Sequence, residues 1–237
     1  MGSFRNPAAA IDTVRSWLRS AKRPCALTGA GISAESGIPT FRGAGGLWRE
    51  FRAEELATPQ AFARNPQLVW EWYDWRREII AKAEPNAGHR ALARLSNLTV
   101  ITQNVDGLHQ RAGSRDVIEV HGSIWIDRCA RCRAEARGLA KHECPQCGSL
   151  TRPGVVWFGE GLDAAVWDNA EEAARAADVF LVIGTSAVVY PAASLAPLAK
   201  ASGARVVEVN PDETPLSAAV DATLRGPSGE MLPQVIE

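Results

Sequence analysis

Cys25-Ala-Leu-Thr-Gly29-Ala-Gly-Ile-Ser33 decides the fold. A short apolar run feeding straight into clustered glycines is the pattern of a buried strand followed by a loop where backbone can approach a ligand closely. Gly29-x-Gly31-x-x-Ala34 fits the dinucleotide-binding fingerprint, in which such glycines admit a pyrophosphate and the following amides hydrogen-bond it. The ordinary fingerprint continues directly into a helix and meets an acidic residue on the next strand about 20 residues on. Here Ser36-Gly-Ile-Pro39 and Gly43-Ala-Gly-Gly46 predict a long loop instead, and Glu50, near the right distance, falls on no strand. The loop therefore reads as a dinucleotide site unlike that of a hydride-transfer dehydrogenase. A glycine-rich turn with no ligand is the alternative that this stretch alone leaves open.

Working outward, apolar runs of the same kind recur at 98–102, 117–120, 179–185 and 205–210. Helical spacing separates several of them. Asn6-Pro7 is a helix start, with Ile11, Val14, Trp17 and Leu18 recurring at that spacing before Pro24 ends it. Further helices are predicted over 66–83, capped by Asn65, over 89–95, over 163–177, and over 191–201, closed by Gly203. Strands alternating with helices make an α/β protein whose parallel sheet is covered on both faces. The segment 123–152 breaks the rhythm: it lacks long apolar runs, holds four of the five cysteines, and reads as a small insertion.

At 237 residues the chain is one large domain, or a large one carrying a small one. Such a length buries about 70–75% of its unfolded surface and needs no disulfides. With 26 basic against 27 acidic side chains, the formal charge of −1 argues against a polyanion-binding surface, so nucleic acid is not an expected partner. Apolar runs fall well short of the ~18 residues that span a membrane, and no basic-then-apolar leader opens the chain. The expectation is a cytoplasmic protein with no membrane partner, and monomer is the default.

Cys129-Ala-Arg-Cys132 and Cys144-Pro-Gln-Cys147 form two C-x2-C knuckles with 11 residues between them. That is zinc-ribbon spacing. Four thiolates close a tetrahedral ion's coordination with no open position for substrate, so the site reads as structural Zn2+. A pair of disulfides is the alternative, and cytosolic disulfides are rare. His142 lies between the knuckles and reads as a surface residue, since four cysteines already fill the tetrahedron. Cys25 reads as a core thiol.

The motifs in order are Gly29-Ala-Gly-Ile-Ser33, Gly37-Ile-Pro-Thr-Phe-Arg-Gly43, Thr102-Gln-Asn-Val-Asp-Gly-Leu-His109, His121-Gly122, the cysteine module, Val156-Trp-Phe-Gly-Glu160, Gly184-Thr-Ser186 and Val209-Asn210. In this order the chain resembles the sirtuins, NAD-dependent protein lysine deacylases, from about Cys25 to Pro233. The resemblance implies a Rossmann-like large domain (about 1–40, 90–122 and 153–237). It implies a small domain from two insertions, one helical (about 41–89) and one a zinc ribbon (123–152), with the active site in the cleft between the domains. It places Gly29, Ala30, Gly31, Ser33, Glu35, Gly184, Thr185, Ser186, Asn210 and Ser228 around the cofactor NAD, with Asn210 near the adenosine. Phe41 and Arg42 fall on the cofactor loop, where Thr40-Phe-Arg42 departs from the usual Asp-Phe-Arg in a way shared by one branch. Gln103, Asn104 and Asp106 line the ribose and nicotinamide pocket, and His121 is the catalytic base. Val156, Trp157, Phe158, Gly159 and Glu160 run beside the substrate peptide as a partner for an added strand.

The chemistry implied by the resemblance has the acyl-lysine carbonyl oxygen capture the ribose carbon that nicotinamide leaves, giving free lysine and O-acyl-ADP-ribose. A neutral His121 at the end of the 117–120 strand takes a proton from a ribose hydroxyl. On the predicted helix after Asn65, Tyr73 and Arg76 are three apart and share a face, where a phenol and a guanidinium could hold a carboxylate together. Periodicity alone favours a core tyrosine and a solvated arginine, as for Arg77 and Lys82, and the resemblance reverses that preference. In sirtuins the Tyr-x-x-Arg pair marks the branch preferring succinyl, malonyl and glutaryl lysine, with Ala57 as the small residue that leaves room for the longer chain. Acylated lysines of proteins are then the substrates. The other readings are a general deacetylase, a silent NAD or ADP-ribose sensor, and a ribbon that binds nucleic acid through Arg128, Arg131, Arg133 and Arg137. Intact Asn104, Asp106 and His121 speak against the sensor, and the lack of an aromatic run beyond Trp125 speaks against the last.

Overall fold

The computed structural model describes residues 7–39, 47–48 and 51–236. Helix α1 (Pro7–Ser20) buries Ala10, Val14 and Leu18. Strand β1 (Pro24–Thr28) is buried along its whole length. At Gly29 the chain enters a five-residue helix, α2 (Ala30–Ala34), directly. The expectation of a long loop in place of a helix is thus corrected: one helical turn follows the glycines, and residues 35–39 after it are irregular. Phe41, Arg42 and Glu50 lie outside the described residues.

The antiparallel pair β2 (Leu47–Trp48) and β3 (Phe51–Arg52) leads into α3 (Ala53–Leu56), α4 (Pro59–Arg64) and α5 (Pro66–Lys82). Both α4 and α5 start with a capping side chain followed by proline. Thr58 Oγ1 accepts from the Ala61 amide and Asn65 Oδ1 from the Leu68 amide, each at 3.1 Å. After α6 (Ala87–Arg94) come β4 (Thr99–Thr102), α7 (Leu108–Ala112) and β5 (Asp116–Glu119). The cysteine-bearing stretch contributes β6 (Gly122–Cys129), β7 (Glu135–Ala136) and β8 (Thr151–Val155), an antiparallel sheet in the order β7-β6-β8. Helix α8 (Ala164–Ala176) precedes β9 (Val179–Ile183), and a 3-10 turn at Ala192–Ser194 leads into α9 (Leu195–Ala201). The chain closes with β10 (Arg205–Val209), β11 (Ala222–Leu224) and α10 (Ser228–Val235).

Six strands form one parallel sheet in the order β11-β10-β9-β1-β4-β5. Numbered within this sheet from β5, the order is 3-2-1-4-5-6, the doubly wound arrangement. Side chains alternate across it. Ala26, Val100, Leu181 and Val207 pack with α1, α6 and α10, whereas Cys25, Leu27, Ile101, Phe180 and Val206 pack with α8 and α9. The Cys25 thiol is buried, which pushes its pKa up to about 12, in line with an inert core position. A third apolar cluster joins α3, α4 and α5 to Ile124, Val155 and Trp157. Among the described residues, no helix is long and apolar enough to cross a membrane.

Candidate active site

In a sheet of this order the ligand crevice lies beyond the carboxyl ends of the strands where the order reverses, here between β1 and β9. Gly29 and Gly184 sit there. The two loops are packed backbone on backbone: the Gly29 amide donates to the Ile183 carbonyl (3.0 Å) and the Gly31 amide to the Gly184 carbonyl (2.8 Å). A Cβ on Gly31 would lie 2.7 Å from the Gly184 Cα, and one on Gly184, whose φ is +56°, would lie 2.4 Å from the Ile32 nitrogen. These glycines therefore allow the loops to interpenetrate, and the Gly29 and Gly31 amides are engaged within the protein. A cleft of about 1360 Å³ opens over them, lined by Gly29, Gly31, Asn104, His121, Thr185 and Asn210 among others. This exceeds the roughly 300–1,000 Å³ of a typical small-molecule pocket. The volume and the glycine floor fit a dinucleotide with a substrate side chain beside it.

Around the floor the predicted polar residues meet one another. Ser33 Oγ donates to Asp106 Oδ2 (2.7 Å), and Asn104 Nδ2 donates to the Gly29 carbonyl (3.0 Å) and to Ser33 Oγ (3.2 Å). Asp106 Oδ1 accepts from the Leu108 amide. Burial raises the Asp106 pKa, against the pull of the Leu108 amide, the Ser33 hydroxyl, Arg76 and Arg111. Gln103 Nε2 donates to Thr185 Oγ1 at 3.1 Å, linking the β4 and β9 loops. Asn210 Nδ2 donates to the Thr185 carbonyl at 2.9 Å. Glu35 and Ser228 line the cleft but are tied to each other: Glu35 Oε1 accepts from Ser228 Oγ and from the Gly229 amide, so it caps α10. Ala30 and Ser186 also line the cleft.

His121 follows β5 and lines the same cleft. Its Nδ1 lies 3.0 Å from the Gln103 backbone carbonyl oxygen, which can only accept, so Nδ1 carries the proton and Nε2 keeps its lone pair. Burial holds the imidazole pKa below its ordinary value, opposed by that hydrogen bond. The ring is neutral at neutral pH and of fixed tautomer.

At the inner wall, Ala57, Tyr73, Arg76 and Trp157 line the cleft together. Tyr73 is fully buried and at the same time lines the cavity. Its phenol pKa is raised by burial, and Arg76 opposes that shift. Burial lowers the pKa of the Arg76 guanidinium, which lies 5.0 Å from the Trp72 ring centroid and 5.7 Å from that of Tyr73. In the stretch 156–160, β8 has ended at Val155 and a turn follows. The amides of Val156, Trp157, Phe158 and Glu160 are all engaged internally, with the His121 carbonyl, Glu160 Oε2, the Ala57 carbonyl and the Trp157 carbonyl. Gly159 takes φ +86° in that turn. The composition of the run gave no sign that its donors face inward.

The four cysteines converge at the end of the small antiparallel sheet. Their sulfur atoms all lie within 4.8 Å of one another, with Cys129–Cys147, Cys132–Cys144 and Cys132–Cys147 each at 3.6 Å. A tetrahedral zinc with bonds of about 2.3 Å needs sulfur pairs about 3.8 Å apart. The Cys129 sulfur also accepts from the Arg131 and Cys132 amides at 3.3 Å, which favours a thiolate. The set fits Zn2+ and leaves no ligand position open. His142 is not the surface residue expected from its spacing. It stacks on Trp70 of α5 at 3.6 Å and 7°, with Nε2 3.0 Å from Asp74 Oδ2, so the ribbon is docked on the helix.

Three features escaped the sequence reading. His89 and His109 are buried side by side, with ring centroids 4.9 Å apart, and His109 Nε2 meets Thr28 Oγ1 at 2.9 Å. Val188, Val189 and Tyr190 are exposed apolar residues that line the cleft, as does exposed Phe158; an apolar run just before a proline was the available signal. Buried Glu208 pairs with Arg225 at 2.9 Å and accepts from Thr214 and Ser217, bracing the loop after Asn210.

Residues 29–191 match the model of the Sir2 family. An NAD-dependent protein deacylase of Aquifex aeolicus (strain VF5) is 58% identical over 205 residues, spanning 82% of this chain and 86% of that one. A Sir2 homologue solved as an NAD complex superposes with a TM-score of 0.91 at 49% identity, covering 99% of this chain and 94% of that one. A Sir2–p53 peptide–NAD+ complex superposes with a TM-score of 0.85 at 33% identity, covering 95% and 96%. With the doubly wound sheet, the glycine-floored cleft and the tetracysteine ribbon, these likenesses show that the chain belongs to the Sir2 family.

Proposed function

We propose that this chain removes acyl groups from protein lysines in an NAD-dependent reaction, preferring succinyl, malonyl or glutaryl over acetyl and releasing nicotinamide and O-acyl-ADP-ribose. NAD-dependent deacylation is the activity borne by the family's named relatives, and the acyl preference is the finer part of the reading. One observation carries it: a single cleft joins the glycine floor, a neutral His121 of fixed tautomer, and the Tyr73–Arg76 pair.

When bound, NAD would supply a ribose carbon made electrophilic by the departure of nicotinamide, open to attack by the acyl oxygen. Gly29, Ala30, Gly31, Gly184, Thr185 and Ser186 would hold its phosphates, and Asn210 with its braced loop would hold the adenosine. Ser33, Asn104 and Asp106 form one hydrogen-bonded unit that presents fixed polar atoms to the ribose without reorganising. The Gln103 carbonyl holds the His121 Nδ1 proton, so Nε2 is the atom that accepts a ribose hydroxyl proton. Arg76 and Tyr73 donate to the distal carboxylate of an acidic acyl chain, and Ala57 leaves space for its length. The substrate peptide lies between the 158–161 turn and Val188–Val189–Tyr190, whose exposed apolar surface suits flanking side chains. Glu35 and Ser228 border the cofactor through the capped start of α10.

Zinc takes no part in these steps. Cys129, Cys132, Cys144 and Cys147 hold it as the brace of the ribbon, which together with α3, α4 and α5 makes the small domain of the proposed two-domain division. Turnover of one peptide bearing acetyl, succinyl, malonyl or glutaryl lysine tests the reading by mass spectrometry. Higher kcat/KM for the acidic groups is expected, and faster deacetylation would favour a general deacetylase.

A further inference from the structure

The side chain of Trp157, in the stretch that the resemblance puts beside the substrate peptide, reaches Tyr73. The ring is 3% exposed and turned inward, and its Nε1 donates to Tyr73 Oη at 2.9 Å across 84 positions of sequence. Both the ring and its backbone are held. Arg152 Cζ lies 3.5 Å from the indole centroid, and the Phe62 ring approaches at 5.2 Å. Arg152 is itself paired with Glu160 through two bonds of 2.5 and 2.8 Å, and Glu160 Oε2 accepts from the Trp157 amide at 2.9 Å. The indole cannot swing away from the phenol without breaking this set.

A phenol oxygen carries one proton to donate and accepts hydrogen bonds at its lone pairs. An indole N–H is only a donor, and a guanidinium is only a donor. With Trp157 bonded to Oη, neither Trp157 nor Arg76 can accept the Tyr73 proton, so it turns toward the cleft that Tyr73 lines. A ligand with an acceptor at that point is favoured, and one presenting a methyl leaves the donor unmatched.

We propose that Trp157 is a positioning residue for acyl selectivity, acting through the Tyr73 hydroxyl, which it fixes as a hydrogen-bond donor toward the distal carboxylate of an acidic acyl-lysine. This rests on the acidic-acyl reading above. The Arg152–Glu160 pair is the clamp that keeps the indole in place.

The test is a double-mutant cycle of Trp157→Phe and Tyr73→Phe, assayed on one peptide carrying succinyl or acetyl lysine at saturating NAD. Phenylalanine keeps an aromatic ring over Arg152 and removes only the N–H and the second ring. Trp157→Phe should lower the succinyl-to-acetyl ratio of kcat/KM about tenfold, chiefly by raising the succinyl KM. Tyr73→Phe should lower it at least as much, and the double variant should match Tyr73→Phe. A Trp157→Phe variant that slows both substrates equally, or whose effect multiplies with that of Tyr73→Phe, overturns the role of Trp157 and leaves the acyl reading standing. A wild type that does not prefer succinyl overturns that reading and this inference with it. Indole 15N–1H spectra give a second measurement that needs no Trp157 variant. The Trp157 resonance should shift on succinyl-peptide binding in wild type and stay still in Tyr73→Phe; equal shifts in both would refute the coupling.

Discussion

His121 and Gln103 are joined by a 3.0 Å hydrogen bond from an imidazole nitrogen to a backbone carbonyl oxygen. That one contact decides which ring nitrogen can act as a base. Replacing His121 with alanine should lower kcat for deacylation at least about 100-fold, in the range that general bases contribute, with fold and zinc content retained. Circular dichroism and metal analysis check the fold. Because burial lowers the imidazole pKa, the acid limb of the wild-type kcat/KM profile should fall below the ordinary histidine value of 6.5. Substantial turnover by the alanine variant would remove the base role.

Arg76→Met should reduce desuccinylation far more than deacetylation. A charge-assisted hydrogen bond of about 1.5–3 kcal/mol corresponds to about a 10- to 150-fold change in preference. Paired kcat/KM measurements on the two substrates decide it. Equal losses would mean that Arg76 supports the fold and does not read the carboxylate.

Burial lowers the His89 pKa to about 4, helped by the neighbouring Arg90 cation, and the His109 pKa to about 3, helped by the adjacent His89. Unfolded, both titrate near 6.5. The unfolded chain therefore binds more protons below that value, so stability is complete above pH 6.5 and is lost as pH falls toward 4. Each histidine contributes a slope of up to about 1.4 kcal/mol per pH unit in that window. Urea midpoints between pH 7 and 4.5 should fall steeply. A flat profile would show that the pair is protonated or hydrated in the fold.

Gly184→Ala should weaken both fold and cofactor binding. The position has φ +56°, and the added Cβ would sit 2.4 Å from the Ile32 nitrogen. Backbone strain of this kind costs on the order of 1–3 kcal/mol, and relieving it separates the two loops that floor the cleft. A lower melting temperature and an NAD affinity reduced at least about tenfold by calorimetry are expected. Unchanged binding would detach the loop contact from the cofactor site.

Much of this was legible in the sequence because it rests on local pattern. Buried strands before glycines, the Asn65-Pro66 helix start and the two C-x2-C knuckles each report their own geometry. What escaped depends on partners far along the chain. Helix α2 contains Gly31 and Ser33, poor helix formers, and is held from outside by the Gly184 contact and by Asn86 Nδ2 donating to the Ile32 carbonyl. Strand β11 is three residues long and α10 carries Pro233, so neither leaves a clear period. The His142–Trp70 stack and the Trp157–Tyr73 bond link separate elements through side-chain direction, which spacing does not encode. Phe41 and Arg42 fall outside the described residues.

The most direct measurement follows nicotinamide and deacylated peptide together by mass spectrometry, using zinc-replete protein with NAD present or enzymatically destroyed. One nicotinamide per lysine released, with the acyl group recovered on ADP-ribose and no reaction after NAD removal, is the predicted result. Deacylation that continues undiminished without NAD would contradict it.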